Sequence, residues 1–329
     1  MNLSTIFIIL MYIFSIAAVL TLIFIKRSDT RAIFAWLLLF YFLPYVGFIL
    51  YFFIGSKYRM RVMSKKYGMS EIEEKHSRTI SKQIRDIVAD KIEFKEIETE
   101  KYRDMIILNS KNANSYFTQN NNVELLISAQ EKFSRMFEDI KNATKSIEVL
   151  YYIFKAKDNV GREFVSLLIE KARKGVEVTL IYDGVTSLPT HMSDFKELKE
   201  AGGHVYRFLP SMLKSFLIVN YRLHRKIVVI DGRIGYTGGI NVGDEYFGLK
   251  KIKPWRDTSI RLTGNCVLSL QTRFWTDLVF LQNQSFKNKD IAKLMFDEKL
   301  LKSSFSPIEE GNLRVQIISS GPSTKNDAI

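Results

Sequence analysis

Residues 221–246 read YRLHRKIVVIDGRIGYTGGINVGDEY, and their pattern decides how the central part of the chain folds. Lys226–Ile230 is a run dominated by β-branched residues, Asp231-Gly232 is a strong hairpin-turn pair, and Ile234–Thr237 supplies the returning strand. Residues two apart on a strand face the same side, so His224 and Lys226 point together. Gly238-Gly239 and Asn241 follow. Glycines let backbone N–H groups approach an anion closely, and asparagine offers a side-chain donor. An imidazole, an ammonium, bare backbone and an amide therefore converge. Phosphoryl transfer needs that set: a nucleophile, and fixed positive charge around the phosphoryl oxygens. Several of these residues have plainer uses. Asp231 before glycine is equally what a turn needs, Gly238-Gly239 also suits a simple turn, and Asn241 also suits a helix cap.

Outward from this segment, strands and helices alternate. Val123–Ser128 reads as a strand and Glu131–Asn142 as a helix with Phe133, Met136, Phe137 and Ile140 on one face. Ser146–Phe154 (SIEVLYYIF) suits a strand buried on both faces. A helix over Gly161–Lys174, a strand over Val176–Tyr182, a helix over Asp194–Ala201 and a strand over His204–Phe208 follow. The alternation predicts an α/β domain with a mixed, largely parallel sheet and helices on both faces. The polar stretch Asn109–Asn122 reads as loop with short strands.

The N-terminal end differs in kind. Residues 1–25 and 32–56 carry no charged side chain. Each run would reach roughly 37 Å as a helix, against about 30 Å of hydrocarbon. The first run lacks the basic start and small-residue cleavage site of a secretory signal. Pro44 and Gly47 in the second can kink a membrane helix without forbidding it. A two-helix transmembrane hairpin over 1–56 is the expectation. A basic juxtamembrane and amphipathic helical linker follows over 57–107, then the α/β domain over 108–300. The cluster from Lys57 to Lys66 argues that everything after the hairpin is cytoplasmic, whereas Lys26, Arg27 and Arg31 in the intervening loop oppose that orientation.

Charge narrows the partners. The chain has 48 Lys and Arg against 35 Asp and Glu, a net +13, which points to an anion: nucleic acid, a phosphorylated substrate or acidic lipid. A single cysteine, Cys266, excludes an intrachain disulfide framework and a cysteine-based zinc cluster. His76, His191 and His204 are isolated in sequence, so no metal site is suggested and no cofactor is expected.

The series His224-x-Lys226-x4-Asp231 with Gly238-Gly239-x-Asn241 resembles the HKD motif of the phospholipase D superfamily. FLPYVGFILYFFIG at 42–55, YYIF at 151–154, LIYDG at 180–184, GGINVGDEY at 238–246, PWRDT at 254–258 and SSGPS at 319–323 extend the resemblance to the bacterial cardiolipin synthase family over essentially the whole chain. The resemblance implies phosphatidyl transfer between two phosphatidylglycerol molecules, giving cardiolipin and glycerol through a phosphatidyl-histidine intermediate. It implies His224 as nucleophile, with Lys226 and Asp231 in the catalytic set. Lys226, Asn241 and backbone N–H around Gly239 would hold the phosphate. Asp257 would orient the imidazole, although as a residue beside Arg256 and Lys253 it also suits a surface ion pair. The implied setting is a bacterial cell membrane, multi-pass, with phosphatidylglycerol and anionic lipid as partners and no nucleic acid.

Members of that family carry two HKD motifs, and the second histidine protonates the leaving group. This sequence carries one, since none of His76, His191 or His204 is followed two residues later by lysine. The chain reads as a first half, with 301–329 opening a second, and its activity alone is in question. The alternatives are a homodimer in which two single-motif chains complete one site, a single-motif dimeric phosphodiesterase or nuclease, and a non-catalytic lipid-binding half.

Overall fold

The computed structural model describes residues 69–94, 97–208, 222–249, 255–282 and 311–319, together with 30–43 and single positions within 2–17 and 46–51. Two compact units divide the chain: Met1–Arg59 with Ser215–Asn220, and the remainder. The expected basic stretch 57–68, and most of 283–329, lie outside the described residues.

In the smaller unit, the described positions from Thr5 to Ala17 are helical, and α1 spans Thr30–Phe42. The second apolar run does not continue as one straight helix. The Trp36 and Tyr51 rings lie 5.2 Å apart, and Phe40 and Tyr51 5.6 Å. Along a straight helix fifteen residues would separate Trp36 from Tyr51 by about 22 Å, so Tyr51 is folded back against α1. Sequence explains the break: Pro44 has no N–H to donate and disfavours helical backbone in the residue before it. Among the described residues no helix is long and apolar enough to cross a membrane.

The larger unit begins with α2 (Met69–Val88) and α3 (Arg103–Ala113). α2 and the first residues of α3 fall in the expected linker and the rest of α3 in the stretch expected as loop, yet both helices pack onto the domain. Ile87, Ile106 and Phe117 form a small core with Phe94 against them. The Gln83 side chain also donates to Phe117 O at 2.7 Å and accepts from Phe117 N at 3.0 Å.

Then come β1 (Phe117–Leu126), α4 (Ala129–Asn142), β2 (Ser146–Tyr151), α5 (Asn159–Arg173), β3 (Glu177–Asp183), α6 (Lys196–Glu200), β4 (His204–Phe208), β5 (Lys226–Ile230), β6 (Ile234–Gly238), β7 (Ser259–Thr263), α7 (Val267–Gln282) and β8 (Leu313–Gln316). One eight-stranded sheet has the order β4-β3-β2-β5-β6-β7-β1-β8. It is mixed, but not largely parallel as expected. Only β2–β3 and β3–β4 pair in parallel, through the crossovers that contain α5 and α6. From β5 to β7 the strands pair antiparallel, β5 and β6 being joined through the tight Asp231-Gly232 turn. β8, in the stretch 301–329, hydrogen-bonds to β1 at this sheet's edge.

Alternation along the strands builds the two faces. Ile147, Val149 and Tyr151 of β2, with Val228 and Ile230 of β5, enter one core with Phe133, Phe137 and Phe164 of α4 and α5. The Phe164 ring lies 5.4 to 6.4 Å from those of Phe133, Phe137, Tyr151 and Phe154. Ser128 starts α4 by accepting from Glu131 N at 3.1 Å, while the Glu131 carboxylate accepts from Ile127 N. On the other face α7 covers the sheet. There Gly235 leaves room for Leu270, which a Cβ would meet at 2.8 Å.

Candidate active site

His224 stands two residues before Lys226, the first residue of β5, which is paired in register with Tyr151 at the end of β2. The site therefore forms at the edge of the sheet where β2 and β3 end and β5 begins. His224 is solvent-exposed, whereas Lys226 is buried to 6% exposure. Lys226 Nζ lies 3.1 Å from His224 Nε2. The Tyr152 ring packs edge-on against the imidazole at 4.5 Å, and the Lys226 ammonium sits 5.4 Å from the centre of the same ring.

Both neighbours of His224 are anchored. Asp183, fully buried at the end of β3, accepts from Val185 N and Thr186 N, from Arg222 Nη1 at 3.3 Å and from Leu223 N at 3.5 Å. On the other side, Arg225 Nη1 reaches Asp277 of α7 at 3.2 Å. In sequence LIYDG entered as part of the family resemblance; the structure makes its aspartate the tether of the segment that presents the histidine. Sequence held no local signal for that, because the partners lie about forty residues apart.

The GGIN segment lies alongside the residues after β2. Val242 N donates to Ile153 O, Lys155 N donates to Val242 O, and the Asn241 side chain accepts from Ile153 N at 3.2 Å while donating to the Tyr246 hydroxyl at 2.7 Å. Gly238 adopts φ 146°, and a Cβ there would meet Ser259 Cα at 2.4 Å. Gly239 is constrained differently: a Cβ would sit 2.0 Å from Asp257 Oδ1. Its N–H donates to Thr258 O at 2.9 Å, so it is committed within the protein rather than offered to a phosphate as expected.

Two further expectations are corrected. Asp231 does not join His224. It sits in the turn at the far end of β5, where its carboxylate accepts from Thr144, Lys145 and Ser146 N at 2.7 to 3.2 Å. Its φ of 52° is one that aspartate tolerates better than most residues. Asp257 does not reach His224 either. Its Oδ1 accepts from Thr258 N at 2.7 Å, and the carboxylate lies against Gly239, near enough to favour the charged forms of Lys226 and Lys132. Among the described residues, the contacts of His224 are with Lys226 and Tyr152.

Lys132 escaped sequence reasoning. It is a buried lysine on the core face of α4, and its Nζ donates to Ile240 O at 2.7 Å, bracing the GGIN segment from beneath. The signal was present in principle: positions 129, 132, 133 and 136 share that face, and one is charged. Asp244 and Glu245 are likewise structural. Asp244 accepts from Asn159 and Val160 N at the start of α5, and Glu245 pairs with Lys155 at 2.5 Å.

The electrostatics favour a free lone pair on His224. Burial first, and the neighbouring Lys226 second, hold its pKa below the ordinary histidine value. Burial also lowers Lys226, and Asp257 opposes that shift. Lys132 falls to about 7 through burial and the nearby Lys226. A neutral imidazole beside a buried ammonium can serve as a nucleophile with a fixed cation for the oxygens of a phosphodiester, the chemistry of a phospholipase D-type site. Among the described residues no group of acidic, histidine or cysteine side chains could hold a metal ion.

Comparison with known proteins agrees. Residues 136–251 match the family model described as cardiolipin synthase, PLD-like domain, and residues 13–56 match phospholipase D-nuclease N-terminal. The major cardiolipin synthase ClsA of Bacillus subtilis (strain 168) is 37% identical over 338 residues, covering 100% of this chain and 66% of that protein. A cardiolipin synthase of Oceanobacillus iheyensis is 35% identical over 330 residues, with the same coverages. Among solved structures, phosphatidylserine synthase of Haemophilus influenzae Rd KW20 aligns over 65% of this chain and 51% of that one, with a TM-score of 0.41 and 16% identity. The chain belongs to the cardiolipin synthase family of phospholipase D-like proteins, and it spans 66% of the length of the two curated relatives named above.

Proposed function

We propose that this chain supplies the nucleophilic site for phosphatidyl transfer between two phosphatidylglycerol molecules, forming cardiolipin and releasing glycerol. The observation that carries the reading is the exposed His224 imidazole, kept neutral, with Nε2 beside the buried Lys226 ammonium. His224 Nε2 attacks phosphorus and a P–N bond forms as the P–O bond to the headgroup glycerol breaks. Lys226 turns from the imidazole to the non-bridging oxygens and carries the charge that develops there. Asn241 gives one N–H to Tyr246, and its second is directed to the same oxygens. A hydroxyl of the second phosphatidylglycerol then attacks phosphorus as the P–N bond breaks, giving its proton to the base left when the acid protonated the departing glycerol oxygen and restoring neutral His224.

The departing glycerol oxygen needs a proton. The resemblance assigns that proton to the histidine of a second motif, and this sequence contains one motif. The apolar N-terminal unit anchors the chain in a bacterial cell membrane, with the α/β domain on the cytoplasmic side among its lipid substrates. The 37% identity to a named cardiolipin synthase supports this setting.

Purified chain in lipid nanodiscs containing labelled phosphatidylglycerol tests the reading, with oligomer mass recorded alongside. Cardiolipin and glycerol in equal amounts, abolished by His224→Ala, is the expected result. Cleavage of DNA with no lipid product would favour the dimeric nuclease. Identical behaviour of wild type and His224→Ala would favour a lipid-binding half without chemistry.

A further inference from the structure

We propose that the second apolar run is re-entrant: residues 32–56 enter and leave the membrane on one face, and the first run alone crosses it. The run is folded back on itself, as the Trp36–Tyr51 and Phe40–Tyr51 ring contacts require. Gly47 adds a second constraint. A Cβ there would lie 3.1 Å from Leu39 O and from the Phe40 ring, a separation that eight residues of straight helix would put at about 12 Å. α1 has 13 residues, about 20 Å of helix, and a bilayer core is about 30 Å thick. It passes the midplane without reaching the far side.

The surface of this element fits hydrocarbon. Phe34, Leu38, Tyr41, Phe42, Leu43 and Val46 are all exposed, while Phe40 is buried against Trp36 and Tyr51. A helical element apolar on both its inner and outer faces is matched by acyl chains and poorly by water. Its occupant is the tail region of one leaflet.

Charge points the same way. Lys26, Arg27 and Arg31 precede the element, and Lys57, Arg59, Arg61, Lys65 and Lys66 follow it. In a two-span hairpin these clusters lie on opposite faces, which splits the positive charge and leaves the orientation contested. With a re-entrant element both clusters share one face, and residues 1–25, without a charged side chain, lead to the other. Basic residues next to membrane segments stay on the cytoplasmic side and meet anionic headgroups there. The α/β domain remains cytoplasmic in both arrangements, while the N-terminal end changes sides. The inference requires a chain in a membrane and is independent of the reaction the site performs.

Cysteine accessibility decides it. Cys266 is buried and is replaced by alanine. Single cysteines are then introduced as Asn2→Cys, Ser28→Cys and Ser64→Cys in the full chain, and spheroplasts are treated with a membrane-impermeant maleimide before or after permeabilisation. The expected result is labelling of Asn2→Cys in intact spheroplasts, with Ser28→Cys and Ser64→Cys labelled only after permeabilisation. Labelling of Ser28→Cys alone in intact spheroplasts would establish two full spans and overturn the inference. Protection of all three until permeabilisation would also overturn it, because the first run would then not cross.

Discussion

The Lys226 ammonium stands 3.1 Å from Nε2 of His224, and its charge adds to burial in disfavouring protonation of the imidazole. Burial is the larger cause of the lowered histidine pKa and Lys226 the smaller. Carbethoxylation of the His224 peptide, followed by mass spectrometry against pH, should therefore show a midpoint below the ordinary value of about 6.5. In Lys226→Met the midpoint should rise, because the charge that opposes protonation is gone. An unchanged or lower midpoint in the variant would contradict the coupling.

Gly239 is glycine because the Asp257 carboxylate occupies the space of a side chain. Gly239→Ala should reduce transfer by about a hundredfold, the scale expected when a reactive group is displaced by about 1 Å. Asp257→Gly removes the obstacle, so the double variant should recover activity toward that of Asp257→Gly alone. Lack of recovery would mean that the glycine serves a purpose other than making room.

Asp231 separates stability from chemistry. Burial alone would raise its pKa, but hydrogen bonds from the backbone of Lys145, Thr144 and Ser146 and from the Thr144 hydroxyl outweigh that and lower it. A depressed carboxylate contributes stability above its unfolded pKa, and the contribution is lost as pH falls through the folded value. Asp231→Ala should cost about 2 kcal/mol at neutral pH, the scale of hydrogen bonds to a charged group. The cost should shrink in acid, with activity per folded molecule retained. Thermal melts against pH, with a transfer assay below the melting range, check both halves.

Glu148 works in the opposite sense. It is buried under α7, with Gln271 and Ser146 as hydrogen-bond partners and one oxygen unpaired, and burial pushes its pKa up to about 7. The folded state keeps the proton that the unfolded chain releases near the ordinary glutamate value of 4.5, so stability falls as pH rises between those values and is flat above. Glu148→Gln removes this slope and should be more stable than wild type by up to about 3 kcal/mol at pH 8, with little difference at pH 5. Parallel unfolding curves at the two pH values would disprove it.

Much of the domain was legible because its strands are locally apolar and bounded by turn residues. His204–Phe208 and Lys226–Ile230 appear within the limits that their sequences indicate. β1 was only half legible. Its first residues, FTQNN, lack apolar alternation because two of the buried ones are polar: Thr118 and Asn121 donate to Val315 O and Leu313 O of β8, contacts that local sequence does not show. At the site, His224 and Lys226 were readable from the two-residue strand period. The tethers were not. Asp183, Lys132 and Asp277 come from β3, α4 and α7 to brace residues far away in sequence, and local spacing carries no trace of such contacts. Asp231 failed for the converse reason: a residue five positions past Lys226 looks contiguous with it, yet a strand carries it to the opposite end of the sheet, about 16 Å away.

The most direct test of the central claim is covalent. Brief incubation of the chain with phosphatidylglycerol, followed by alkaline quench and mass spectrometry, should give a phosphatidyl adduct on the His224 peptide. The adduct should be absent in His224→Ala and strongly reduced in Lys226→Met. An adduct on another residue, or cardiolipin formed by His224→Ala at the wild-type rate, would contradict the assignment of His224 as the nucleophile.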